Sequence, residues 1–167
     1  MSETRNYILN ASVAQKKLLR MAYEIAEQNL EEQDDLILAG IRDNGVVLAN
    51  IIAGFLKDIY RGKVRIIEIS LDKKDPQEIH INEDADYNNA VIILVDDVTN
   101  SGKTLLYALK PFLNFHPKKI QTLTLIERSH KLYPLKSDYV GISLATTLQE
   151  HIFVEVEAGR VTGAYLV

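Results

Sequence analysis

Residues 91–106 read Val-Ile-Ile-Leu-Val-Asp-Asp-Val-Thr-Asn-Ser-Gly-Lys-Thr-Leu-Leu, and this stretch constrains the fold more than any other. Five uninterrupted apolar residues rich in β-branched types leave no polar face for solvent, the pattern of a strand buried on both sides of a parallel sheet. Asp96 and Asp97 stand at its C-terminal end. Thr99, Asn100, Ser101, Gly102, Lys103 and Thr104 follow, and Leu105, Leu106 and Leu109 then begin a helical apolar stripe. A polar, glycine-containing turn that enters a helix gathers unpaired backbone N–H groups at one point, which suits a phosphate.

The two carboxylates would repel that phosphate, so they answer to a different part of the ligand. Carboxylates accept hydrogen bonds from sugar hydroxyls or hold Mg2+ through its waters. The combined reading is a ribose 5-phosphate, hydroxyls on the aspartates and phosphate in the turn. A P-loop is excluded by spacing: Gly102-Lys103-Thr104 matches its last three positions, but Asp97 stands where the leading glycine is required. A receiver-type acidic pocket normally uses an early strand, and here several elements come first. A plain solvated loop leaves the paired aspartates unexplained.

The chain has 167 residues, 47% of them hydrophobic, enough to bury one sizeable core. It contains no cysteine, so disulfides and thiolate metal sites are ruled out. His80, His116, His130 and His151 show no metal-ligand spacing. The N-terminus lacks an apolar signal region and no apolar run approaches the ~18 residues of a membrane span, so a soluble cytoplasmic protein is expected. Nineteen basic against 23 acidic residues give a net charge of −4, which argues against general polyanion binding.

In chain order, Ser12 and Gln15 suggest a capping box, with Leu18, Met21, Ala22 and Ile25 on one face of a first helix. Lys16, Lys17, Arg20, Glu24 and Glu27 form its solvated face. A core strand at 36–39 runs into Gly40, Ile41, Arg42, Asp43, Asn44 and Gly45, where glycines at both ends allow close approach to a second anion. A second helix, a strand at 64–71 and the charged segment with Lys73 and Lys74 follow. The helix opened at Ser101 is predicted to run to about Asn114 with a kink at Pro111. The next strand covers 120–126, and a hairpin joins 153–157 to 163–167 through Ala158-Gly159.

Residues 95–104 resemble the phosphoribosyl-diphosphate (PRPP) signature of the type I phosphoribosyltransferases. The segment 127–141, with Arg128, His130, Pro134 and Asp138-Tyr139-Val140-Gly141, is similar to the nucleobase hood of the PyrR family, pyrimidine-operon attenuators with uracil phosphoribosyltransferase activity. The resemblance implies a doubly wound α/β fold, a mostly parallel sheet flanked by helices, as a single domain over 1–167 with a small C-terminal hood built from about 127–167. It also implies transfer of the phosphoribosyl group of PRPP to a nucleobase, uracil in the first instance, with release of pyrophosphate.

On that resemblance Asp96 and Asp97 hold the ribose hydroxyls, Asp96 also ordering substrate-associated Mg2+ through water. Val98, Thr99, Asn100, Ser101, Gly102, Lys103 and Thr104 wrap the 5-phosphate. Gly40 to Gly45 grip the pyrophosphate, Lys73 and Lys74 belong to a flexible loop that closes over it, and Arg128, His130, Asp138, Tyr139 and Val140 surround the base. A homodimer or higher homo-oligomer is the implied assembly. The alternative is a non-catalytic regulator of pyrimidine genes that senses nucleotide or binds RNA. The chain departs from the family pattern at Asp43-Asn44 in the pyrophosphate loop, at Lys73 where an arginine is usual, and at Ser129, Leu132 and Ile142 in the hood.

Overall fold

The computed structural model describes residues 4–30, 35–147 and 149–167. Its larger sheet has six strands: β2 (Leu36–Ile41), β3 (Val64–Ser70), β4 (His80–Ile81), β5 (Val91–Thr99), β6 (Lys119–Arg128) and β7 (Tyr139–Leu144), in the order β4-β3-β2-β5-β6-β7. All neighbours run parallel except β3 with β4. Period-two alternation sorts the central side chains to two cores. Leu36, Leu38, Val91, Ile93 and Val95 face one, and Ile37, Ala39, Ile41, Ile92 and Leu94 the other.

Helices α1 (Ala11–Gln28) and α2 (Asn44–Ile59) cover the first face. Helix α3 (Lys103–Ala108) and the 3-10 turn Lys110–Asn114 cover the second with Leu105, Ala108 and Phe112. The arrangement is the doubly wound α/β architecture expected. The chain leaves β2 toward β3 on one side and returns as β5 on the other, so the ends of β2 and β5 flank the crevice where such sheets bind ligands.

Three local expectations are corrected. The cap of α1 is Asn10, whose Oδ1 accepts from Val13 N at 2.8 Å, rather than Ser12. The helix after Ser101 does not reach Asn114 as one α-helix, because Pro111 has no N–H to return to the preceding turn and the chain tightens into 3-10 geometry. Segment 139–144 is the edge strand β7 of the main sheet, not part of the hood.

The smaller sheet is antiparallel, in the order β1-β9-β8, formed by β1 (Asn6–Asn10), β8 (Ile152–Glu157) and β9 (Arg160–Leu166). The hairpin turn falls at Ala158-Gly159 as expected, both with positive φ. The N-terminal strand β1 is an addition that the sequence pattern does not announce. Leu9, Val161 and Ala164 tie this sheet into the core beneath α1 and α2.

Candidate functional site

Strand β5 carries Asp96 and Asp97 to the crevice as its hydrogen-bonded ladder with β2 ends. Successive residues of a strand point to opposite sides, and here the two carboxylates have different surroundings. Asp96 is 1% exposed, and burial, followed by the neighbouring charge of Asp97, pushes its carboxyl up to about 8. Asp97 is part-buried and accepts at Oδ2 from Asn44 Nδ2 at 2.9 Å. Asn44 also donates to the Val154 carbonyl at 3.2 Å, so one side chain links α2, the acidic pair and the small sheet.

Lys73 reaches in from the segment after β3. Its Nζ lies 3.3 Å from Asp96 Oδ1 and 3.9 Å from Asp97 Oδ1. Burial works against its charge, but the attraction of Asp96, then Asp97, together with the Asp96 hydrogen bond and Asp43, outweighs this and raises its pKa. The sequence reading sent Lys73 toward a diphosphate; in the free protein it neutralises the acidic pair. Lys74 lies on the exposed side of this segment, its backbone N–H closing a turn onto Asp72.

The turn after β5 forms one wall of a cavity of about 190 Å3, lined by Lys73, Asp96 and residues 98–105. Thr99 is 3% exposed and its Oγ1 has no hydrogen-bond partner. A buried hydroxyl left unpaired costs about 1–3 kcal/mol, so this group is poised for an acceptor or donor brought by a ligand. Gly102 takes φ +85, the left-handed conformation that turns the backbone into α3. Ser101 Oγ accepts from Lys103 N at 3.3 Å and shapes the same turn.

The loop after β2 runs alongside. A Cβ on Gly45 would sit 2.4 Å from the Val95 carbonyl oxygen, so glycine lets the start of α2 touch the strand carrying the aspartates. A Cβ on Gly40 would be similarly confined, 2.7 Å from Val46 Cα. The Arg42-Asp43 peptide is cis. Arg42 points outward, 3.8 Å from Glu68 Oε2 on neighbouring β3, and its backbone N–H donates to the Ile69 carbonyl.

A second cavity of about 420 Å3 adjoins the first, lined by Asn100, Ser101, Arg128, His130, Leu132, Glu150, His151, Ile152 and Phe153. Asn100 and Ser101 belong to both. Arg128 fixes the junction: its Nε donates to Asn100 Oδ1 at 3.2 Å, and its other nitrogens donate to the Thr147 and Glu150 carbonyls at 2.8 and 2.7 Å. Of the expected base-contacting residues, Arg128 and His130 are here. Asp138, Tyr139 and Val140 are not.

The reason lies in β7. Tyr139 is wholly buried beneath α1, its one hydroxyl hydrogen within reach of Gln121 Oε1 at 2.8 Å and Gln28 Oε1 at 3.1 Å, and burial pushes its hydroxyl up to about 12. Asp138 accepts from Thr122 N at 2.8 Å to fix the start of β7, and the Val140 carbonyl accepts from Arg20. The sequence reading did not single out Ile152 and Phe153, which line this cavity with Arg128 and His130. Their hairpin was legible, but nothing in its alternation says which end reaches the crevice.

The fold and the site have counterparts among known proteins. A family described as phosphoribosyl transferase domain matches residues 7–158. A bifunctional protein PyrR of Clostridium acetobutylicum is 36% identical over 160 residues, covering 90% of this chain and 89% of its own. One from Ligilactobacillus salivarius is 34% identical over 162 residues, covering 90% of each. Among solved structures, a hypoxanthine phosphoribosyltransferase of Trypanosoma cruzi in a ternary substrates complex superposes with a TM-score of 0.76 at 13% identity, over 94% of this chain and 93% of that one, a likeness of fold. With a family match spanning nearly the whole chain and PyrR relatives above 30% identity, this protein belongs to the type I phosphoribosyltransferases, PRPP-dependent transferases, and resembles their PyrR members.

Proposed function

We propose that the protein transfers the phosphoribosyl group of PRPP to uracil and releases pyrophosphate. The observation that carries this reading is the sharing of Asn100 and Ser101 by two adjoining cavities, one lined by Asp96 and the turn after β5, the other by Arg128 and His130. A sugar phosphate in the first places its anomeric carbon toward a planar base in the second.

In this reading the 5-phosphate lies against residues 99–104, where the unpartnered Thr99 hydroxyl donates to it. Asp97 accepts from the ribose hydroxyls, held in place by Asn44. Arg42, the backbone of 40–45 and Lys73 face the diphosphate, Lys73 leaving the acidic pair as substrate enters. Two adjacent carboxylates, Asp96 and Asp97, fit a Mg2+ ion that would arrive with PRPP and keep water as its other ligands. Asp96 and Asp97 would hold that ion, and the chemistry it would supply is positive charge beside the diphosphate.

The bond between C1′ and the diphosphate oxygen breaks and its electron pair leaves with pyrophosphate. The bond from C1′ to a ring nitrogen forms, and that nitrogen's proton passes to water or to the released pyrophosphate. The ribose passes through an oxocarbenium-like state, so the side chains contribute position and charge complementarity rather than a covalent nucleophile. Uracil is the base favoured by the resemblance of Arg128, His130 and Pro134 to the PyrR hood. Titration calorimetry with PRPP and Mg2+, then uracil, with an assay for pyrophosphate, tests the reading. Binding followed by pyrophosphate release is expected; release only with a purine would move the base assignment, and no PRPP binding would overturn the reading.

A further inference from the structure

Glu127 ends the buried part of β6 and is 3% exposed. Its Oε1 accepts from Lys131 Nζ at 2.5 Å and from Ser137 N at 2.9 Å. The Lys131 side chain is itself 13% exposed. Two charges withdrawn this far from water gain little net stability over an apolar pair, so what they contribute is a defined geometry. The pair joins residues at i and i+4, but Glu127 is in β6 and Lys131 in the loop after it, so Lys131 folds back over the strand end and sets the path of 129–137.

That path meets the phosphate loop. The N–H groups of Leu132 and Tyr133 both donate to the Ser101 carbonyl, at 3.1 and 3.0 Å. A Cβ on the next residue, Gly102, would lie 3.4 Å from the Tyr133 carbonyl oxygen and 3.5 Å from that of Leu135. On its other side Leu132 lines the larger cavity. One loop, folded by one ion pair, therefore touches the turn that holds the 5-phosphate and the wall that holds the base.

We propose that Glu127 and Lys131 are positioning residues that hold the phosphate loop and the base cavity in register. Neither touches substrate; both act through Leu132, Tyr133 and Ser101. The inference rests on the phosphoribosyl-transfer reading above, because register matters only if a bond forms between the contents of the two cavities.

The test compares wild type, Lys131→Arg and the double variant Glu127→Gln/Lys131→Met, which removes both charges while Gln keeps an acceptor for Ser137 N. In the double variant, amide exchange at Leu132 and Tyr133 is expected to accelerate. Its kcat should fall about tenfold or more, as misplaced reacting atoms require, with the KM for PRPP within about twofold, since the phosphate contacts themselves remain. Lys131→Arg should restore both. If the double variant melts too low to assay, Lys131→Gln against Lys131→Arg makes the same comparison. Unchanged kcat with accelerated exchange would overturn the positioning role, as would a uniform loss that Arg does not rescue. Failure of the wild type to bind PRPP would remove the underlying reading instead, and the inference with it.

Discussion

Asp96 illustrates how one residue links chemistry to stability. Its carboxyl titrates near 8 in the folded chain against 3.8 ordinarily, so between those values the folded protein holds a proton that the unfolded chain has lost. Stability from this group is therefore complete below about pH 4 and is lost as pH rises from there through about 8. Asp96→Asn removes that titration. The variant should melt close to wild type at pH 4 and above it at pH 8, while losing PRPP affinity. Melting curves across this range check it, and a pH-independent difference would refute the assignment. The acidic pair was legible because two adjacent carboxylates after an apolar run have few structural explanations. The Lys73 contact was not, because a lysine in a charged, aperiodic segment carries no signal of where its long side chain will lie.

At the scale of elements, the crevice depends on how closely α2 approaches β5. Gly45 permits that approach, whereas a Cβ on Gly54 of the same helix would meet nothing within 4 Å. Gly45→Ala should destabilise by about 1–3 kcal/mol through overpacking and weaken PRPP binding, since the displaced backbone includes Val95 next to Asp96. Gly54→Ala should stabilise by about 0.5–1 kcal/mol through helix propensity. Chemical denaturation of both variants makes the comparison, and equal effects would sink the argument. The glycine-bounded turn at 40–45 was readable as a site of close approach, and the strand cores from their apolar runs. The shortness of α3 was less so: Pro111 signals a kink, but not that the chain turns into a 3-10 segment, Lys110–Asn114, whose Phe112 ring centroid lies 5.2 Å from that of Tyr87.

For the whole molecule, the defining feature is a second sheet that joins the two ends of the described chain. Asn6 pairs with Leu166 and Tyr7 with Tyr165, and Phe153 stacks on Tyr165 at 5.5 Å. Arg5 lies 4.7 Å over the Tyr165 ring and bonds to Glu155. Strand β1 thus braces the hairpin whose first residues line the larger cavity, the proposed base site. Deleting residues through Asn10 should raise the KM for the base at least several-fold more than the KM for PRPP, a comparison that steady-state kinetics makes directly; equal changes would argue against the brace. This strand escaped the sequence reading because five residues with one buried position, Leu9, show no sustained alternation. The doubly wound sheet did not, because β5 and the two turns beside it announce their neighbours.

The pairing of β1 with β9 also sets a timetable during synthesis. Strand β1 has its partner β9 beyond all six strands of the larger sheet in the chain, so the pair must wait while that sheet is made. Contacts across so long a loop form late and cost the most chain entropy. The cavity beside Asp96 can assemble from what is already translated, and the Ile152-Phe153 side of the larger cavity is added after it.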